Sequence, residues 1–350
     1  MNLNRVIIFL LILFIALFAM YFPSRTSSGA IIERTRLYMG TIIQIKVPVG
    51  AEDDKEGIKQ AIDRALEEIG RIEAVFSVFN KESEIAKINR LKQAEALRVS
   101  DEVFRVIEKS VEYNKITDGA FDITVKPLVD LWAQAKEAKR LPSDLAVRDA
   151  LDKTGSQFIV LDNINKTITF KKDGMALDMG GLAKGYATDR AIEVLKENGV
   201  LNAIVSSGGD MYCLGRRSRD KLWEVGIRHP RKKGQIILQV GVEDKAVDTS
   251  GDYEKYFISN GKRYSHIIDP RTGYPIGDGV VSATVFANDS MTADILATAL
   301  TILGEDGMEM IKSVNGAGAI VISKKKDNTL GIEMSEGLDK EYVITGNQRQ

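Results

Sequence analysis

The segment from Leu177 to Asp210 concentrates residue types that suit anion chemistry. An acid, a cation and three glycines precede its helical pattern: Asp178, Gly180, Gly181, Lys184 and Gly185. Glycines in this place let backbone N–H groups approach an anion, and a helix N-terminus adds partial positive charge. Lys184 would meet a phosphate as a point charge. The segment predicts a phosphate site, although two tight turns around one amphipathic helix would explain the same pattern.

A second acid-bearing stretch lies at residues 118–132. Asp122 and Thr124 are two residues apart, so a strand would point both side chains to one face. An acid buried in this way must be paired. Two interpretations stay open here: a ligand-facing acid on a strand, or a turn acid at Asp118 followed by a capping acid.

A polar segment at residues 248–275 contains His266, one of the two histidines of the chain. The stretch at residues 259–261 within it predicts a hairpin turn. The turn that follows holds Asp269, which can cap backbone N–H groups, and Arg271, which can clamp an oxyanion. A histidine with such neighbours is a candidate base. A purely structural histidine is the alternative.

Asp294 and Thr298 stand four residues apart within a predicted helix over 290–303, so both face the same side. A carboxylate and a hydroxyl at that spacing suit a hard cation such as Mg²⁺, which prefers oxygen ligands. The alternative is ordinary helix capping by Thr292, with an acid in the first turn.

The elements that must position these clusters are mixed strands and helices without strict alternation. The patterns predict helices along 58–72, 100–117, part of 133–151 with a break at Pro142, and 290–303. They predict strands at 41–47, 158–161, 167–170, 203–205, 223–227, 236–242, 280–287 and 317–323. This order indicates an α+β fold.

Composition limits the possible partners. The 350 residues are 44% hydrophobic and carry 48 basic and 49 acidic side chains, so a full core is available and no polyanion-binding surface is expected. Nucleic acid is therefore not an expected partner. The single cysteine, Cys213, excludes an intrachain disulfide and a cysteine metal cluster, and we expect it to be buried.

The N-terminus has the pattern of a targeting segment. Arg5 precedes an apolar run at residues 6–22, which is long for a signal-peptide core and short for a spanning helix. We expect residues 1–29 to be a signal or membrane anchor, with cleavage near Ala30 as the alternative. Either interpretation exports residues 30–350, so the protein is expected to be extracytoplasmic, anchored to the cell inner membrane and facing the periplasm or exterior.

Together these clusters resemble the ApbE family of FAD:protein FMN transferases across roughly residues 35–320. The matching motifs are Met39–Thr41, Ser83–Asn89, Asp118–Asp122, Asp178–Gly185, Ser207–Asp210, Ser250–Tyr253, His266–Gly273 and the pair Asp294 and Thr298. The resemblance implies a single two-lobed, T-fold-like domain with mixed sheets flanked by helices. It also implies a flavoprotein-modifying activity: FMN moves from FAD, with Mg²⁺, onto a threonine by a phosphoester bond, and AMP is released. Acceptors in the family are subunits of sodium-pumping quinone reductases and Rnf-type complexes.

The resemblance assigns roles to particular residues. It implies that Mg²⁺ is held by the Ala183 carbonyl, Asp294 and Thr298, beside Lys184 and the FAD diphosphate. His266 is the candidate that activates the threonine, with Asp178 and Asp252 as rivals. The positions that match flavin- and adenine-binding residues are Met39, Phe76, Ser77, Val78, Ala120, Phe121, Asp122, Gly180 and Ile268.

One departure from the family pattern keeps other functions open. Many members carry a tyrosine within the short motif that corresponds to residues 76–80, and this chain has none there. In the family, substitution near this motif is linked to FAD hydrolysis instead of FMN transfer. The alternative is therefore a Mg²⁺-dependent FAD pyrophosphatase that yields FMN and AMP. A flavin carrier without turnover is a third interpretation, against which Asp294 and Thr298 argue. Thr284 lies in a stretch faintly like the acceptor motif, and packing in a strand is its expected role.

Overall fold

The computed structural model describes residues 30–277 and 279–346. The strands are β1 Ala30–Tyr38, β2 Thr41–Val49, β3 Ala96–Arg98, β4 Ile159–Asp162, β5 Thr167–Phe170, β6 Ala203–Ser207, β7 Asp210–Leu214, β8 Trp223–Arg228, β9 Ile236–Val242, β10 Lys245–Gly251, β11 Tyr256–Ser259, β12 Lys262–Ser265, β13 Val280–Ala287, β14 Gly318–Lys324, β15 Leu330–Met334 and β16 Val343–Gly346. The helices are α1 Lys55–Phe76, α2 Glu84–Ile88, α3 Asp101–Ile116, α4 Lys126–Ala138, α5 Asp144–Leu151, α6 Ala183–Glu197, α7 Ser290–Leu303, α8 Met308–Ser313 and α9 Leu338–Glu341.

An antiparallel sheet of eight strands forms the centre of the fold, in the order β1-β2-β6-β7-β10-β13-β14-β15. Its strand β14 is almost continuously apolar because both of its faces are buried. Ala319 and Val321 face the core formed with the helices, whereas Ile320 and Ile322 face a second core on the opposite side.

Different layers cover the two faces of this sheet. Helices α1, α6 and α7 pack together on one face, where α1 buries Ile62, Leu66 and Ile69 at helical spacing. The small sheet β16-β9-β8 covers the other face and packs Trp223 and Val240 into the second core. Strands β3, β5 and β4 form a separate small sheet.

An aromatic cluster attaches the β11–β12 hairpin to α4. The Trp132 ring stacks on Tyr264 with centroids 5.7 Å apart, and Tyr264 stacks on Phe257 at 5.2 Å. Trp132 Nε1 donates a hydrogen bond of 2.8 Å to the Gly273 carbonyl in the turn beyond the hairpin. Both ends of the segment around His266 are therefore tied to one helix.

The fold is α+β, as predicted, and several local predictions are confirmed. The helix over 290–303 is present as Ser290–Leu303, and Cys213 is buried. The helical stretch around Pro142 is broken into α4 and α5. Asn260 and Gly261 both have positive φ in the turn between β11 and β12, which suits a tight hairpin.

At two positions the structure differs from an alternative that the sequence allowed. The stretch around Asp122 is not a strand, because Asp122 caps a 3₁₀ turn at Ile123–Val125 by accepting a hydrogen bond from Thr124 N–H. The cap of α7 is Asp289, not Thr292, because the Asp289 carboxylate accepts hydrogen bonds from both the N–H and the hydroxyl of Thr292.

The predicted anchor at residues 1–29 lies outside the described residues. Within the described ranges, no helix has the length and apolar character that crossing a membrane requires.

Gly185→Ala tests the close contact between α6 and α7. A Cβ on Gly185 would lie 2.3 Å from the Ser290 carbonyl oxygen, which is backbone and cannot rotate away. Alanine normally favours a helix interior over glycine, yet here we expect a loss of about 2 kcal/mol in the free energy of unfolding. Chemical denaturation measures it, with the exposed Glu197→Ala on the same helix as control. A neutral or stabilising Gly185→Ala would show that the helices can move apart freely.

Candidate functional site

An ion-pair cluster around Lys184 joins three elements of the fold. Lys184 lies in the first turn of α6, and its Nζ is 2.9 Å from Asp210 Oδ2 on β7. The same Nζ is 3.1 Å from Asp294 Oδ2 on α7. Asp294 also accepts a hydrogen bond from Gly185 N–H. The predicted neighbourhood of Lys184 and Asp294 is therefore present, and Asp210 completes it.

The electrostatics of this cluster are set by burial and by an excess of acids. Burial alone would lower the pKa of Lys184, but the charges of Asp294 and Asp210 outweigh it and hold that pKa well above its usual value. Burial, followed by the charges of Asp210 and Asp294, raises the pKa of Asp248 well above its usual value. Three carboxyl groups therefore surround one ammonium, and the cluster can accept a further cation.

Further oxygen atoms that suit a hard cation lie on α7 and β10. Thr298 Oγ1 lies 3.5 Å from Ser250 Oγ, and a Cβ on Gly181 would be 3.4 Å from Thr298 Oγ1. Asp248 Oδ2 is buried and has no hydrogen-bond partner among the described residues. This donor set is all oxygen, which fits Mg²⁺. In residues 30–277 and 279–346, no three His, Cys, Asp or Glu side chains are arranged to hold a metal, so hydroxyl, carbonyl or substrate oxygens would complete such a site.

Two glycine loops border the cluster. Gly208 and Gly209 have φ values of 67° and 123°, which side chains rarely adopt, and Asp210 follows directly. A Cβ on Gly208 would lie 2.4 Å from Thr41 Oγ1, so this loop packs against the turn of the β1–β2 hairpin. In that turn Met39, with φ 53°, donates its N–H to Glu73 Oε1 at 2.8 Å.

The loop that leads into Lys184 is pinned at several points. Asn89 donates to the Leu177 carbonyl and accepts from the Leu177 N–H. Asp178 N–H donates to the Ile123 carbonyl, and the Asp178 carboxylate accepts from Gly180 N–H at 2.7 Å. Burial raises the pKa of Asp178. The Asp178 side chain thus closes a turn in its own loop, which favours a positioning role over the predicted role of base.

His266 has the geometry of a neutral base. Its Nδ1 lies 2.9 Å from the Lys255 carbonyl oxygen. A carbonyl only accepts, so Nδ1 carries the proton and Nε2 keeps its lone pair. Burial lowers the pKa of His266, with smaller effects in the same direction from the charges of Lys255 and Lys184. The imidazole therefore lies within the electrostatic field of the Lys184 cluster and is neutral near pH 7.

Asp252 and Asp122 are both engaged in hydrogen bonds within the protein. Both carboxylate oxygens of Asp252 accept hydrogen bonds from Arg231, at 2.8 and 2.7 Å, and this bidentate pair stabilises the ionised form and favours a structural role. Asp122 accepts hydrogen bonds from Thr124, Ser156 and Asn114. Its carboxylate is saturated, which makes it a capping acid.

Several predicted flavin contacts are enclosed by protein. Phe76 is 3% exposed, and its ring meets the edge of Tyr186 with centroids 5.5 Å apart. Ile268 packs in the core around Trp132. Ala120 and Phe121 are also buried, although the Phe121 ring lies only 3.2 Å from where a Cβ on Gly181 would be.

The remaining flavin candidates border this core. Ser77 Oγ accepts hydrogen bonds from the N–H groups of Phe79 and Asn80, as a turn cap. Half-buried Met39 and Val78 remain available to a ligand.

Sequence reasoning did not include Asp210, Asp248 or Arg228 among the site residues. Asp210 and Asp248 lie on β7 and β10, which are neighbours only in the order of the folded sheet. The local signals near them were the Ser207–Asp210 motif and the polar segment that begins at Asp248. Arg228 ends β8 on the opposite layer, where its Nη2 comes within 3.7 Å of the Cβ position of Gly209.

Fold and site together define an α+β protein that places a lysine, three acids and two glycine loops where an anion and a cation can meet. The sequence matches the ApbE family over residues 39–321, and the chain belongs to that family.

Relatives and solved structures agree with this membership. The chain is 34% identical over 295 residues to the FAD:protein FMN transferase of Vibrio cholerae, covering 83% of this chain and 86% of the relative. The corresponding protein of Haemophilus influenzae is 33% identical over 316 residues, covering 86% and 89%. The ApbE crystal structure from Thermotoga maritima superposes with a TM-score of 0.79 at 34% identity, covering 89% of this chain and 99% of that one. The flavin transferase ApbE from Vibrio cholerae gives 0.77 at 30%, with the same coverages.

Lys184→Met tests whether the cluster needs its cation. The substitution keeps the length of the side chain but leaves Asp210 and Asp294 facing each other without the ammonium. We expect a loss of about 3 kcal/mol in the free energy of unfolding, because removing one partner of a buried ion pair leaves the remaining carboxylates uncompensated. Urea denaturation measures it, and Lys196→Met at the exposed end of the same helix is the control. An equal response of the two variants would contradict the structural role of the cluster.

Proposed function

We propose that this chain is a Mg²⁺-dependent FAD:protein FMN transferase, which joins FMN through a phosphoester bond to a threonine of an acceptor flavoprotein and releases AMP. The observation that carries the proposal is the position of Lys184, at the start of α6 and in contact with Asp210 and Asp294. Membership in the ApbE family and relatives that bear this activity in their names support it.

The diphosphate of FAD is the part of the substrate that this site suits. The N–H groups at the start of α6 and the positive end of that helix favour an anion, and Lys184 adds a full charge. Phosphoryl transfer depends mainly on positioning and charge neutralisation. Ala183 through its carbonyl, Asp294 and Thr298 would hold Mg²⁺, which when bound neutralises diphosphate charge.

His266 would accept the proton of the attacking threonine. The threonine oxygen forms a bond to the phosphorus of the FMN half while the bond from that phosphorus to the bridging oxygen breaks. The electron pair leaves with AMP, and the threonine proton moves to His266 Nε2. The hydrogen bond from Nδ1 to the Lys255 carbonyl orients the ring for this role.

The location and the partners follow from the same proposal. Residues 1–29 would anchor the protein to the cell inner membrane, with the rest facing the periplasm or exterior. There it would meet acceptor flavoproteins such as quinone reductase or Rnf-type subunits. FAD is the other substrate.

A reaction with an acceptor domain tests the function. The protein is mixed with FAD, Mg²⁺ and a domain that carries its target threonine, and AMP release and acceptor mass are followed together. A mass gain equal to FMN with equimolar AMP is expected. AMP and free FMN with an unchanged, matched acceptor would replace the proposal by the FAD pyrophosphatase.

Asp294→Ala separates metal binding from folding. Lys184 keeps Asp210 as a partner in this variant, so we expect the fold to survive while transfer falls by at least about 100-fold. The rise in melting temperature that Mg²⁺ causes in the wild type should also be lost. Asp306→Asn, an exposed acid just beyond the same helix, is the control. Wild-type activity of Asp294→Ala at limiting Mg²⁺ would overturn the assignment.

His266→Ala should slow transfer by roughly 100-fold or more without weakening FAD binding. Because the pKa of His266 is lowered, its neutral form is present at and above pH 6.5, its ordinary value, and is lost only below it. Wild-type kcat/KM should therefore be level above that pH and fall on acidification, and the variant should lack this acid limb.

His229→Ala is the matched control, because His229 Nδ1 already accepts the N–H groups of Arg231 and Lys232. Equal losses of FAD affinity and turnover in His266→Ala would make His266 a binding residue instead.

A further inference from the structure

Arg228 reaches the glycine loop of the site from the layer opposite the helices. It is the last residue of β8, in the small sheet that covers the far face of the central sheet. Its Nη2 lies 3.7 Å from the position that a Cβ on Gly209 would occupy. Gly209 is followed directly by Asp210, the partner of Lys184. The guanidinium therefore covers the loop that leads into the ion-pair cluster.

The guanidinium of Arg228 is available for a ligand. Nearby arginines are already engaged: Arg231 and Arg263 contact Asp252, and Arg271 pairs with Asp269. Within the part of the chain that the structure describes, Arg228 is exposed and shows no hydrogen bond or ion pair. An arginine that lies against a glycine loop and has no carboxylate partner within the protein is suited to bind an anionic ligand.

Arg228 and Lys184 both act electrostatically on a shared neighbour, Glu254. Burial and the charge of Asp210 raise the pKa of Glu254, whereas the charges of Lys184 and Arg228 act in the opposite direction. Both cations therefore act on one carboxyl group. Lys184 comes from the helix layer and Arg228 from the small sheet, so the two cations lie on opposite sides of the central sheet.

We propose that Arg228 is a substrate-binding residue that holds the diphosphate of FAD from the side opposite Lys184. The inference rests on the proposed function and names a contact for its substrate. A diphosphate presents two charged groups, and one lysine cannot face both. The planar fork of arginine can donate two parallel hydrogen bonds to phosphate oxygens, whereas lysine acts as a point charge. Arg228 acts through binding and positioning, and no bond to it is made or broken.

Equilibrium binding to the full chain tests this assignment. FAD, inorganic pyrophosphate and riboflavin are measured on wild type, Arg228→Ala, Arg228→Lys and the control Arg219→Ala, an exposed arginine in the turn before β8. Arg228→Ala should weaken FAD and pyrophosphate by about 10- to 100-fold, the cost of a lost charged hydrogen bond. Riboflavin, which lacks phosphate, should bind as before. Arg228→Lys should recover part of the loss, and Arg219→Ala should match the wild type.

Two results would overturn the proposal. Unchanged pyrophosphate affinity in Arg228→Ala would show that the guanidinium does not meet the diphosphate. Equal weakening of riboflavin and pyrophosphate would show a distorted site instead of a lost contact. The result of this binding test is independent of the transfer test for the proposed function, because binding is measured without turnover. A wild-type protein that binds pyrophosphate through Arg228 but transfers no FMN would refute only the transferase.

Discussion

One ammonium among three buried carboxyl groups is the constraint on which the rest of this structure depends. Lys184 contacts Asp210 and Asp294, and Asp248 lies within the same field. Burying such charges is expensive unless geometry and hydrogen bonds compensate. Helix α6, helix α7 and strands β7 and β10 must therefore keep a fixed arrangement.

The contact between α6 and α7 maintains this arrangement. Gly185 lets the Ser290 backbone approach α6 more closely than any side chain would allow. One turn later, Asp189 accepts hydrogen bonds from the N–H groups of Ser290 and Met291, at the start of α7. Burial and the charge of Asp289 raise the pKa of Asp189 to about 7. These contacts fix the position of Asp294 along α7 relative to Lys184 on α6. Helix packing therefore positions both the candidate metal ligand and the candidate phosphate-binding lysine.

The central sheet separates two sources of functional groups. Its helix face carries the glycine loop before α6 and oxygens of the type that suits a cation, and its other face carries the small sheet, in which β8 ends at Arg228. His266 belongs to neither layer and lies directly after the β11–β12 hairpin, which Trp132 holds to α4. A substrate with a diphosphate between two large groups needs contacts from several directions, and this layered arrangement provides them.

The sequence by itself determined many of the elements and several local turns. Periodicity identified α7, and the Asn260–Gly261 turn and the Asp178–Gly185 loop were visible as motifs, because turn chemistry and helical spacing are local properties. The pairing of Asp294 with Thr298 also followed from helix geometry alone.

Only the tertiary structure decided which charges meet. Asp248 and Asp210 converge because β7 and β10 are adjacent in the sheet, and no local pattern encodes that order. The partners of Asp252 and Asp122 were invisible for the same reason, because Arg231 and Ser156 lie 21 and 34 residues away in the chain. A carboxylate's role depends on whether its lone pairs are already used, and distant donors settle that only when the chain folds.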